Sequence, residues 1–167
     1  CSLNLFIGAI VLINRKQALY ECFYMWSSAA ALLAIVLPGL STGQGFPTFR
    51  FFVYFLIHCA LVIGAIVMTW GLGMKPRRSA PWRAFFWTNV FAGCVAIVNL
   101  IWDRNHFFLS AKPQGTTVLT YLGEWPWYIL SVEVLMVGLF WLLQWPHMRT
   151  SPAESAGEKA LAATSAR

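Results

Sequence analysis

Apolar runs, broken by short polar stretches, account for most of the chain. The first, 2–13 (SLNLFIGAIVLI), is closed by Asn14, Arg15 and Lys16. The second covers 18–37 and stops at Pro38-Gly39. The third covers 49–74, the fourth 84–102 and the fifth 125–145. A helix crosses about 30 Å of hydrocarbon with about 20 apolar residues. Runs two to five reach that length. The first is too short, and nothing before it has the pattern of a signal peptide. It reads as the second half of a helix that begins before Cys1. The pattern predicts an all-α, polytopic transmembrane bundle of about five spans over 1–145, the first partial. Residues 146–167, rich in Ala, Ser, Glu and Lys, read as a solvated, disordered tail. Small residues from Ser27 to Ala31 suit close helix packing in the second span.

Between the last two runs lies the longest break, NHFFLSAKPQGTTVLTYLGEWPWYIL, 105–130. It is polar at its start and ends in an aromatic cluster. Trp125, Trp127 and Tyr128 are of the kind that settle at a membrane interface. This stretch is expected to be a re-entrant or surface-lying loop that feeds an interface-anchored helix, with Pro126 in its first turn.

Composition agrees with a membrane protein. The chain is 59% hydrophobic and 11% charged, against about 25% charged in soluble domains. The net charge of +6 does not point to nucleic acid, because the basic residues sit in short loops between apolar runs. There they read as topology signals beside lipid headgroups, so membrane lipids are the expected partners. Arg15, Lys16, Lys75, Arg77, Arg78, Arg83, Arg149, Lys159 and Arg167 fall on one side, and Arg50, Arg104 and Lys112 on the other. The first side is expected to be cytoplasmic and to hold the carboxy-terminus, in a bacterial inner membrane.

Ionisable and amide groups inside hydrocarbon are functional candidates because each carries a desolvation cost. Counting 1.5 Å per residue, His58 and Glu133 each lie about 12 Å from the outer side, and Cys1 about 10 Å. Asn99 is three residues from the outer end of the fourth span. A thiol, an imidazole, a carboxylate and an amide in one half of the membrane suit nucleophilic catalysis. The imidazole takes the thiol proton, the carboxylate orients the imidazole and the amide assists an oxyanion. Each also has a structural reading as an interhelical hydrogen-bonding group. Arg104, Asn105, His106 and Lys112 are candidate lipid-headgroup contacts in the loop. Cys22, Cys59 and Cys94 read as small buried hydrophobes. The cysteines show no metal-ligand spacing, and His58, His106 and His147 fall at different depths, so neither a metal nor another cofactor is expected.

Spaced motifs in order, GFPTFRFFVYFLIH (45–58), VNLIWDRNHFFLSAKP (98–113) and LGEWPWYIL (122–130), resemble the YwaF/transmembrane protein 164 family of integral membrane proteins. The resemblance covers roughly Cys1 to Leu143. It implies cysteine-dependent acyl transfer on phospholipids, or lipid hydrolysis, with Cys1 as the acyl-accepting nucleophile and His58 as its base. The family's Ser-His-Gly stands here as Ile57-His58-Cys59, its Asn-Tyr as Asn105-His106, and its Gly-Pro-Trp-Pro-Trp as Gly123-Glu124-Trp125-Pro126-Trp127. On this reading the loop 105–124 is a lid over the polar set. The alternative is a non-enzymatic polytopic protein, a transporter or scaffold. Transport is disfavoured, since the only helix breakers, Pro38 and Gly71/Gly73, lie near span ends.

Overall fold

A computed structural model describes residues 1–38, 45–112 and 118–148. The described residues form an all-helical bundle without strands. Helix α1 is Ser2–Asn14, α2 is Gln17–Val36, α3 is Phe49–Gly71, α4 is Ala80–Trp102 and α5 is Trp127–Met148. By length and hydropathy α2 to α5 can each cross a membrane, whereas α1 is shorter. Parts of the breaks at 39–44 and 113–117, and the tail from 149, lie outside the described residues.

Local chemistry sets the helix ends. The α1 helix closes at Arg15, whose positive φ of 50° lets its N–H reach Val11 O at 2.8 Å. The Asn14 side chain then accepts from Lys16 N, and α2 starts at once. Thr48 caps α3 by accepting from Phe51 N. The α4 helix starts at Ala80, four residues earlier than the apolar run predicted, and Pro81 stands in its first turn, where its missing N–H has no partner to lose. The α5 helix starts two residues after the expected Trp125, so Pro126 precedes it, and it runs through Pro146 to Met148.

The α2 helix is the core. Half of its apolar window is buried, against 22% for α3, 11% for α4 and 17% for α5. It packs against α1, α3, α4 and α5. Phe23 fills the junction of three helices. A Cβ on Gly8 would lie 2.5 Å from its ring, and one on Gly64 3.2 Å from it. Both glycines therefore give α1 and α3 their close approach to α2. The small run Ser27–Ala31 forms a π-helical turn against α3. A second π-turn, Val67–Gly71, ends α3.

Polar side chains tie the spans together. Trp26 Nε1 donates to Thr88 Oγ1 at 2.8 Å, joining α2 to α4. Tyr20 Oη lies 2.9 Å from Thr69 Oγ1 and donates to Met74 O, joining α2 to the end of α3. Tyr24 Oη lies 3.0 Å from His147 Nε2, joining α2 to α5.

Candidate functional site

Antiparallel register shows which groups share a level. Along α1 and α2, Gly8 lies against Phe23 and Asn4 Nδ2 donates to Ser27 Oγ at 2.9 Å. Three residues beyond Asn4, Cys1 comes level with Ala30. Along α2 and α3, Tyr20 meets Thr69, Phe23 meets Gly64, and Tyr54 Oη donates to Ala34 O at 3.0 Å. Interpolation brings His58 level with the same Ala30. The faces agree as well. Asn4, Gly8 and Val11 are the buried stripe of α1, and Cys1 continues its three-and-four spacing to the helix cap. His58, Leu61 and Ala65 form the buried stripe of α3. So Cys1 and His58 occupy one level of the α1–α2–α3 seam, with Cys1 exposed and His58 7% exposed.

The His58 ring is held by its own helix. Its Nδ1 lies 2.6 Å from Tyr54 O, and the ring packs on Tyr54 with centroids 4.2 Å apart. A carbonyl only accepts, so Nδ1 carries a proton, and in the neutral imidazole the lone pair is on Nε2. That tautomer suits a base. On the α5 side, a groove of about 160 Å³ is lined by Ser28, Leu32, Val62, Ile66 and Trp70, among others. Ser28 and Leu32 bracket the level of Ala30, and the groove runs from there toward Trp70.

The other expected members stand elsewhere. Glu133 does not reach His58; its Oε2 accepts from Asn89 Nδ2 at 3.1 Å, between α4 and α5. Depth along the chain put Glu133 and His58 at similar levels, but Glu133 is bonded to Asn89 on α4 and His58 to Tyr54 O on its own helix. Asn99 is buried and clasps the backbone of His106. Its Nδ2 donates to His106 O, and His106 N donates to its Oδ1, both at 2.9 Å. That amide is fully engaged in holding the loop.

The loop folds back along α4. Asp103 takes a positive φ of 48°, and the Phe107 ring then meets Phe91, 5.6 Å between centroids. Phe91 is eleven residues before Trp102, so the loop descends about 16 Å beside the helix. Phe107 and Phe108 both have positive φ, an unusual state for bulky residues. Tyr128 Oη donates to Phe108 O, and Trp125 Nε1 to Leu109 O, which fastens this turn to the start of α5. Trp82 pairs with Trp141, and Asn89 with Glu133. By that register Trp127 sits opposite position 95, about 10 Å below the far end of α4. The WPWY cluster is thus not level with that end, and the described loop residues cover α4 and α5 rather than Cys1 and His58. Asn105 is spent on turn contacts, its Oδ1 accepting from Ser110 N and its Nδ2 donating to Ala111 O. Lys112 pairs with Glu124 at 3.2 Å. Arg104 and the His106 side chain are exposed.

One charged site was missed in the sequence. Glu21 is fully buried at the opposite end of α2. Its Oε1 accepts from Arg77 Nε at 2.7 Å, from Arg77 N and from Gln17 Nε2, and its Oε2 lies 3.0 Å from Arg83 Nη1. This hydrogen bond, reinforced by the charge of Glu21, raises the Arg77 guanidinium above its ordinary value. The signal was available: Glu21 is the only acid in run 18–37, one turn after Gln17, and the loop KPRRSAPWR supplies arginines. Of the cysteines, Cys22 is buried, Cys59 half-buried and Cys94 exposed on α4, so Cys94 departs from the buried expectation.

The sequence model of the TMEM164 family matches residues 1–144. The chain belongs to the TMEM164 family. No curated protein and no solved structure matches it. The TMEM164 match takes in Cys1, His58, Glu21, the descending loop and α5 as far as Gln144. With its apolar helices, this makes the chain a multi-pass integral membrane protein.

Proposed function

We propose that this TMEM164-family chain is a cysteine-dependent phospholipid acyltransferase or lipid hydrolase, with Cys1 as nucleophile and His58 as base. What supports the reading is the common level of Cys1 and His58 on one seam, together with the Tyr54 carbonyl on Nδ1. In the first step the Cys1 thiol gives its proton to His58 Nε2, and the thiolate attacks the acyl carbonyl carbon. The S–C bond forms, the ester C–O bond breaks, and the imidazolium protonates the departing lysophospholipid alkoxide. A hydroxyl of an acceptor lipid, or water, then attacks the thioester carbonyl and gives its proton to Nε2; the new C–O bond forms, the S–C bond breaks, and the imidazolium returns the proton to the departing Cys1 thiolate. Tyr54 O takes the orienting role that Glu133 was expected to fill. The groove lined by Ser28, Val62 and Trp70 is the proposed acyl-chain site. Arg104 is the proposed phosphate contact, while Lys112 acts only after leaving Glu124. The basic end faces the cytoplasm, so the acyl chemistry lies in the opposite leaflet.

The second reading, a non-enzymatic membrane scaffold, is favoured by the closed pairs Asn4–Ser27, Asn99–His106 and Glu21–Arg77. Release of lysophospholipid separates the two. With the protein in phospholipid vesicles, the acyltransferase reading expects release that Cys1→Ser abolishes. Its absence from the native protein supports the scaffold.

A further inference from the structure

The pair Asn89–Glu133 stands where hydrocarbon is expected. Asn89 lies nine residues into α4 and thirteen before its end, about 14 and 20 Å along the axis. Asn89 is exposed and Glu133 half-exposed, on the two least buried spans. A carboxylate at this depth carries a cost of several kcal/mol unless it is partnered. The hydrogen bonds of the two side chains can be counted. Asn89 has two amide hydrogens, and both are used: Nδ2 donates to Phe85 O at 3.0 Å and to Glu133 Oε2 at 3.1 Å. What remains is Asn89 Oδ1 and Glu133 Oε1. An ionised carboxylate and an amide oxygen only accept. With Glu133 ionised, the patch presents acceptors and negative charge to lipid tails that hold no donor. One turn along α4, Gly93 is exposed, and a Cβ there would meet nothing within 4 Å. Its bare backbone lets another helix approach closely.

We propose that this face of α4 and α5 docks a separate transmembrane helix that carries a Lys or Arg at mid-bilayer. Charge complementarity selects this occupant. A cation supplies donors to both acceptors and neutralises Glu133. A second copy of this chain brings the same two acceptors and satisfies neither. Flanking Phe86, Val90 and Val134, all exposed, give the apolar contact area.

The test uses the whole chain in phosphatidylcholine vesicles with a labelled probe, a Leu/Ala transmembrane peptide bearing one central Arg. A matched peptide carries Leu at that position. Energy transfer reads association. The Arg peptide is expected to associate at least about tenfold more tightly than the Leu peptide, close to the effect of one charge-assisted contact. Glu133→Gln, which keeps the acceptor for Asn89, is expected to erase the preference. Gly93→Leu, whose Cβ meets nothing within 4 Å, is expected to weaken association of the Arg peptide while helix content stays native. Equal association of the two peptides overturns the proposal. So does a preference that survives Glu133→Gln, or pairing of two copies that depends on Glu133.

Discussion

Tyr54 O and His58 Nδ1 lie 2.6 Å apart, one turn from each other on α3. The contact fixes the tautomer of a buried imidazole without a carboxylate. Neutral His58 is expected to be protonated at Nδ1, with Nε2 free of hydrogen. Nitrogen-15 spectra of the histidine-labelled protein, assigned with His58→Gln, read this directly. The opposite tautomer would remove His58 as a base aimed away from its own helix.

Gly8 and Gly64 hold α1 and α3 against Phe23. An added methyl at Gly8 meets the ring at 2.5 Å and at Gly64 at 3.2 Å. Gly8→Ala is expected to lower stability by about 1–3 kcal/mol, the usual range for overpacking, and Gly64→Ala by less. Phe23→Leu added to Gly8→Ala recovers part of the loss. Denaturant titration in micelles measures all three variants.

The ion cluster at the basic end is asymmetric. Glu21 has no exposed side-chain surface, whereas Arg77 and Arg83 retain 54% and 29% of theirs. Removing both arginines leaves a buried charge without compensation, and the double variant Arg77→Ala/Arg83→Ala is expected to cost about 3–5 kcal/mol. Glu21→Ala leaves two arginines that can turn to water, so its cost is smaller. Equal losses in the two variants contradict this order.

Asn99 holds both backbone groups of His106. In Asn99→Ala the His106 amide loses its acceptor, and hydrogen exchange through 103–112 is expected to accelerate about tenfold or more, the equivalent of one to two hydrogen bonds. Asn99→Asp keeps the acceptor and loses the donor, so it gives an intermediate rate.

The helices were legible because a run of about 20 apolar residues has few other uses. Their polar partners were not, because counting residues along a span gives depth and not azimuth. Glu133 and His58 show this: similar depth, yet Glu133 bonds Asn89 on α4 while His58 bonds Tyr54 O on α3. Cys1 and His58 share a level by the same counting, and the spacing from Asn4 and from Leu61 sets both on the faces that α1 and α3 turn to α2. Glu21 escaped notice because its arginines arrive from a loop 56 residues away. The descent of the loop was readable as a possibility from 105–130, but its depth rests on Phe107 meeting Phe91 and on the offset start of α5, which only tertiary packing sets.

If His58 activates Cys1 as proposed, the rate of Cys1 alkylation against pH carries the signature. Iodoacetamide is applied to the protein in vesicles, and the modified Cys1 is counted by peptide mass. Native Cys1 is expected to react well below the usual thiol range near pH 8.5, and His58→Gln to move the profile back toward that range. Superimposable Cys1 profiles in the native protein and in His58→Gln would contradict the account.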